Sequence, residues 1–185
     1  MLLANVHSGS VLIAQPSIMG ESFFERSVIL LAKHEEKGSV GFVLNKPLGV
    51  YLSDLIKDVT KGFEVFSGGP VEQDNLYFIH NVPNLIPNSI EISKGIYWGG
   101  DFEIVKYLIE NNKIDESNVK FFLGYAGWGA NQLIAEISDD SWIVKEKETD
   151  EIISIPHVNF WKNELKQIGG DFLLWINSPK NPSHN

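Results

Sequence analysis

The residues able to do proton, metal or nucleophile chemistry near neutral pH are five histidines, His7, His34, His80, His157 and His184, in a chain without cysteine. The missing thiols remove a cysteine nucleophile, a CxxC redox pair, a disulfide framework and every zinc set that contains Cys. No histidine has a second one within four residues and no His-Glu-x-x-His occurs, so the helical zinc spacing is absent as well. No metal and no cofactor is expected. An exposed serine nucleophile on an α/β scaffold usually announces itself as Gly-x-Ser-x-Gly. The nearest approaches are Gly38-Ser39-Val40-Gly41 and Ser67-Gly68-Gly69, and Ser67, ending a strand before two glycines, reads as a presented hydroxyl or as a turn residue. His80, at the end of an apolar run, reads as a base or as an imidazole satisfied by its neighbours. Asp139 and Asp140 are adjacent, which suits a helix end better than two carboxylates facing across a cleft.

Gly124-Tyr125-Ala126-Gly127-Trp128-Gly129 follows a strand-like run and precedes a helical one. A loop so placed presents free backbone N–H groups to an anion at a helix N-terminus. It lacks the Lys-Ser/Thr of a P-loop and the spacing of a dinucleotide fingerprint, and its glycines equally permit a tight turn packed under Trp128. Trp128, Gln132 and Glu136 recur at i, i+4, i+8 on one helical stripe, an aromatic, an amide and a carboxylate that together make a recognition surface or a solvated helix face. Arg26 is the single arginine. Its planar fork suits a half-buried ion pair with a distant carboxylate, or an anion.

Positioning these groups falls to one domain. The 185 residues are 43% apolar and 11% aromatic, enough for one sizeable core, and 21% charged residues exclude a disordered chain. The net charge of −9 is spread evenly, with no basic tail and no acidic block. With one Arg, and Lys interleaved with carboxylates, clustered phosphate contacts and arginine base readout are disfavoured, and so is direct nucleic-acid binding. The N-terminal residues lack a cationic leader, and the longest nearly uncharged run, 119–137, is broken by Lys120, glycines and Glu136. Neither a signal peptide nor a membrane span is expected, which leaves a cytoplasmic protein.

The patterning predicts a strand at Val11–Ala14 closed by Pro16, a hairpin from Ser27–His34 and Val40–Lys46, and strands at Glu64–Ser67, Leu76–His80 and Ile90–Trp98. The hairpin arms are apolar on both faces, so the hairpin should be central and covered on two sides. Helices are predicted from Leu52, Leu55, Ile56 and Val59; from Phe102, Val105, Leu108 and Ile109, capped by Asp101, with a Lys106–Glu110 pair; and from Ala130, Leu133, Ile134 and Ile137. Between the last two, Lys120–Tyr125 reads as a strand. Trp142–Lys147 and Ile152–Ile155 read as a last hairpin, and Pro156 as the opening of a final helix with Trp161, Leu165 and Ile168 inward. Strands in runs, broken irregularly by about four helices, predict an α+β fold, a compact single domain over 1–177 with a mostly antiparallel sheet and a flexible tail at 178–185.

Several spaced motifs taken together resemble the bacterial YqgE/AlgH family. In chain order they are Leu12-Ile13-Ala14-Gln15-Pro16-Ser17, Phe24-Glu25-Arg26-Ser27-Val28, Gly41-Phe42-Val43-Leu44-Asn45-Lys46-Pro47, Ser67-Gly68-Gly69-Pro70-Val71 and Gly124-Tyr125-Ala126-Gly127-Trp128, followed by Gln132-Leu133 and Glu136. Gln15, where Met is frequent, and Tyr97-Trp98-Gly99-Gly100, where many members are rich in Thr and Ser, depart from the pattern. The resemblance implies a single-domain α+β protein of the bacterial cytosol, and some members carry the description of transcriptional regulator. It attaches no catalytic role to any residue. The expected ligand- or partner-binding positions are Arg26, Asn45, Lys46, Gly68, Gly69, Gly124, Trp128, Gln132 and Glu136. They would serve a non-enzymatic binding or regulatory module that acts through a protein partner rather than on DNA, in an oligomeric state the sequence leaves open. The alternative is an enzyme that holds a small anionic substrate at Gly124–Gly129 with His80 or Glu136 as base. A third reading makes every shared motif a folding requirement.

Overall fold

A computed structural model describes residues 5–18, 23–154 and 158–176. Pro156, His157 and the tail 178–185 lie outside them. Strand β1 (Val11–Ala14) is buried throughout, and the expected hairpin is β2 (Val28–Glu35) with β3 (Gly38–Val43), paired from Ile29 opposite Val43 to Glu35 opposite Gly38 with a register shift between Leu31 and Lys33. β4 (Pro47–Tyr51) leads into α1 (Leu52–Leu55) and β5 (Glu64–Ser67), followed by β6 (Val71–His80), β7 (Ile90–Ser93) and β8 (Ile96–Trp98). Then come α2 (Phe102–Glu110), β9 (Val119–Gly129), α3 (Gln132–Ser138), β10 (Trp142–Lys145), α4 (Thr149–Ile153), α5 (Phe160–Ile168) and α6 (Phe172–Trp175).

The sheet runs β10-β1-β2-β3-β9-β6-β8-β7, with β5 also on β9 and β4 on β5. Among the described residues only the β5–β9 pairing is parallel, so the α+β class with a mostly antiparallel sheet stands. The β2–β3 hairpin is central, and Val28–Leu31 are fully buried. β9 is the hub: its first half pairs with β5 and β6 and its second half with β3. Because strand side chains alternate faces, Val119 and Phe121 enter one core with Leu52, Phe78, Val105 and Ile109. Phe122, Ala126 and Trp128 enter the other, with Leu30, Phe42, Trp142 and Trp161.

Four local expectations are corrected. Residues 124–129 are not a loop but the continuation of β9, because Gly124 at φ +72 lets the strand bend and carry on pairing with β3. The last hairpin does not form: β10 finds its partner in β1, while Glu148 and Glu151 close a capping box that turns the next residues into α4 and buries Ile152 and Ile153. The first helix stops after Leu55, which is exposed, and Val59 reaches the core from the chain beyond. Lys106 pairs with Glu103 at 2.8 Å rather than with Glu110, whose carboxylate accepts from the amide and hydroxyl of Thr60. Among the described residues six α-helical segments stand where about four were expected; α1, α4 and α6 have only four or five residues. No helix among the described residues is long and apolar enough to cross a membrane.

Lys120 on β9 is only 6% exposed, with its ammonium 3.9 Å from the centroid of Phe66. Burial pulls its pKa down to about 8, against the upward pull of Glu64 and Glu116. The unfolded chain therefore holds this proton at pH values where the folded chain has released it, and stability rises with pH above 8 until the unfolded lysine also titrates. Equilibrium urea unfolding of the wild type is expected to gain about 1–2 kcal/mol between pH 8 and 9.5. Lys120→Met should be more stable at pH 7.5 and show no such gain; equal slopes in the two proteins would contradict the assignment.

Candidate functional site

The segment joining β1 to β2 ends in a turn at 23–26, where Arg26 takes a left-handed φ of +56. Asn45, just after β3, holds that turn: its Oδ1 accepts from the Val28 amide at 2.9 Å and its Nδ2 donates to the Arg26 carbonyl at 2.9 Å. Both ends of the amide are thus spent on backbone, making Asn45 a positioning residue. The Arg26 guanidinium lies 5.4 Å from the Trp161 ring centroid, and its Nε is 3.7 Å from Glu25. Among the described residues, the adjacent Glu25 is one charge partner of this sole arginine. Lys46 donates to the Phe23 carbonyl and sits 5.1 Å from the Phe23 ring.

These side chains form one wall of a cleft of about 530 Å³, and residues 158–162 at the start of α5 form the other. Among the described residues, three cations, Arg26, Lys46 and Lys162, line it with one carboxylate, Glu25. Trp161 is fixed from behind by its indole, which donates to the Ala14 carbonyl at 2.7 Å. Behind α5, Glu164 is 2% exposed and takes Lys147 at 2.6 Å and Lys145 at 3.2 Å, which ties the helix to β10 and the segment after it.

Trp128, Gln132 and Glu136 converge as well, next to the cleft rather than in it. Glu136 Oε2 accepts from the indoles of Trp128 at 2.9 Å and Trp142 at 2.8 Å, while Oε1 accepts from Gln132, whose own oxygen accepts from the Gly129 amide. Trp128 belongs to β9, not to a helical stripe, and is 5% exposed, whereas Glu136 is half-buried and Gln132 exposed, so the trio is a brace that runs from a buried indole out to an accessible amide. Phe24 packs between the two indoles, stacked on Trp128 at 6.0 Å and edge-on to Trp142 at 5.7 Å. The brace is therefore the bed on which the cleft wall at 23–26 rests.

The glycine candidates are corrected by the same packing. Gly68, Gly69 and Gly124 are buried where the chain after β5 crosses β9: a Cβ at Gly68 would stand 2.2 Å from the Gly124 carbonyl oxygen, and one at Gly69 2.0 Å from the Tyr125 carbonyl carbon. They permit backbone contact and offer no ligand surface. His80 is fully buried, donates from Nε2 to the Gly99 carbonyl at 3.1 Å and accepts at Nδ1 from the Val82 amide at 3.3 Å, and its burial lowers its pKa. It stands opposite Val119, the far end of β9 from Gly129. With 124–129 in a strand, His80 remote and Glu136 fully engaged, the constellation for an anionic substrate at Gly124–Gly129 is not assembled. Sequence reasoning did not place Phe23, Glu25 and Lys162 at a site. The helical pattern did mark Trp161 as inward, but its ring meets Arg26 only through the tertiary packing of α5 on β1.

The sequence profile of the AlgH-like family matches residues 11–173. The chain belongs to the AlgH-like family. An AlgH-like relative from Parabacteroides distasonis, called a UPF0301 protein, is 40% identical over 180 residues, covering 96% of this chain and 90% of its own. One from Cytophaga hutchinsonii is 37% identical over 179 residues, covering 96% and 98%. The solution structure of the AlgH protein from Pseudomonas aeruginosa superposes with a TM-score of 0.72 at 24% identity, over 95% of this chain and 96% of that one. A crystal structure from Corynebacterium diphtheriae gives a TM-score of 0.75 at 25% identity, over 96% and 95%. The AlgH-like fold thus spans nearly the whole chain, cleft and brace included.

Proposed function

We propose that this AlgH-like chain is a non-catalytic binding module of the cytoplasm that works through another protein, engaged at the Arg26–Lys46–Lys162 cleft. One observation carries the reading: a chain of net charge −9 places its single arginine and two lysines around one concave opening that, among the described residues, has one carboxylate. Such an opening favours a negatively charged surface and, by the same charge balance, the rest of the molecule repels DNA phosphate. Any regulatory action is then exerted through the partner. Asn45 and the Trp128–Glu136–Trp142 brace hold the wall and contribute no contact of their own.

Native mass spectrometry of the tagged protein, recovered gently from its own host, tests this. A stoichiometric protein is expected with the wild type, and its retained fraction should fall about tenfold in Lys46→Glu and in Lys162→Glu, each reversal replacing an attraction by a repulsion. A partner retained equally by both variants, or retained nucleic acid in its place, overturns the reading.

A further inference from the structure

The cleft does not end at Lys162. Asn159 and Lys162 also line a second hollow of about 430 Å³, completed by Lys166, Leu173 and Ile176, so the two openings share a wall formed by the first turn of α5. Lys162 and Lys166 stand at i, i+4, on one face of that helix and roughly 6 Å apart along its axis. Among the described residues, no carboxylate lines the second hollow. Large apolar side chains stand exposed along the same path: Phe23 at 37%, Val158 at 62% and Leu173 at 50%. A ligand the size of the first cleft alone would leave Leu173 and Lys166 without a role.

We infer that the two hollows form one groove for an extended acidic segment of a partner protein, with carboxylates facing Lys46, Lys162 and Lys166 and a large apolar side chain packed between Val158 and Leu173. This deepens the reading of the cleft as the recognition site and rests on it. Charge complementarity selects the occupant: among the described residues, four cations, Arg26, Lys46, Lys162 and Lys166, line the groove against one carboxylate, Glu25, in a chain of net charge −9. Two linked concavities flanked by apolar shoulders suit an extended chain, whereas a membrane surface would need a convex apolar face.

The test selects from a displayed library of random peptides on the full-length wild type, then measures the enriched peptide by fluorescence anisotropy against Lys46→Glu and Lys166→Glu. Lys166 is exposed and Lys46, which donates to the Phe23 carbonyl, is half-buried, so thermal melts of both variants are recorded beside the binding curves to separate binding loss from unfolding. The expected outcome is enrichment of segments in which Asp or Glu flank Leu, Phe or Trp. Affinity should fall about fivefold or more in each variant, with a similar loss when the peptide's Glu residues become Gln, and should weaken as salt is raised. Sensitivity to Lys46→Glu but not to Lys166→Glu would overturn the extended groove and leave the cleft standing. Insensitivity to both, no enrichment, or neutral or basic winners would overturn cleft and groove together. Binding of anionic phospholipid vesicles, lost in both variants, with no peptide enriched would overturn the inference in favour of a lipid surface.

Discussion

Gly69→Ala is expected to abolish cooperative folding. The added methyl would stand 2.0 Å from the carbonyl carbon of Tyr125, 2.1 Å from its oxygen and 2.2 Å from the Ala126 nitrogen, all of them backbone atoms of the central strand. No rotamer change relieves such a contact; either the chain after β5 lifts off β9 or β9 gives up its pairing with β3. Both routes break the element that joins the two cores. The cost belongs with the largest single-residue effects, above about 4 kcal/mol, against a typical total of about 5–15 kcal/mol. Circular dichroism melts should show no sharp transition, and the protein should accumulate in the insoluble fraction. Gly127→Ala is the control. It lies on the same strand at an exposed position, and its added methyl would come no closer than 3.4 Å, to the Tyr125 ring. If Gly69→Ala melts like Gly127→Ala, the crossing is not as tight as described.

Glu136→Ala should lower the melting temperature by about 4–24 °C. One carboxylate oxygen serves two indole N–H groups and the other serves Gln132, so truncation orphans two buried donors at about 1–3 kcal/mol each. For a chain of this length, each kcal/mol moves the midpoint by about 2–4 °C. The near-UV dichroism of Trp128 and Trp142 should weaken in the same variant. Because Phe24 lies between those rings, the cleft wall should loosen as well. Glu136→Gln keeps an acceptor oxygen for the indoles and should recover more than half of the loss. An alanine variant that melts with the wild type would show that the indoles do not depend on Glu136.

The strands and their order of burial were largely legible because their signal is local. The β2–β3 hairpin, the capped helix after Asp101 and the buried β1 follow from runs of apolar residues bounded by Pro, Gly or a capping carboxylate. The failures occur where two local codes compete and a distant partner decides between them. Trp142–Lys145 is a strand by composition, but its neighbour is β1, more than a hundred residues earlier, and not Ile152–Ile155. Residues 124–129 carry glycines that signal a loop, yet β6 pairs with Tyr125 and β3 with residues 126–129, and the strand continues.

The candidate site divides along the same line. Motif resemblance gathered Arg26, Asn45, Lys46, Trp128, Gln132 and Glu136, and the fold brings all six into one region, but in different roles. The sequence by itself determined the α+β class, the absence of thiol chemistry, the acidic balance and family membership, because these depend on composition, period and spaced identity. Only the tertiary structure decided that Gly68, Gly69 and Gly124 serve backbone contact, that Asn45 and Glu136 are spent inside the protein, and that Lys162 and Trp161 complete a cleft with Arg26. Those outcomes depend on which hydrogen-bonding groups remain unsatisfied once strands far apart in sequence have paired, and on the path of α5 across β1. Neither quantity is encoded within any window of the chain.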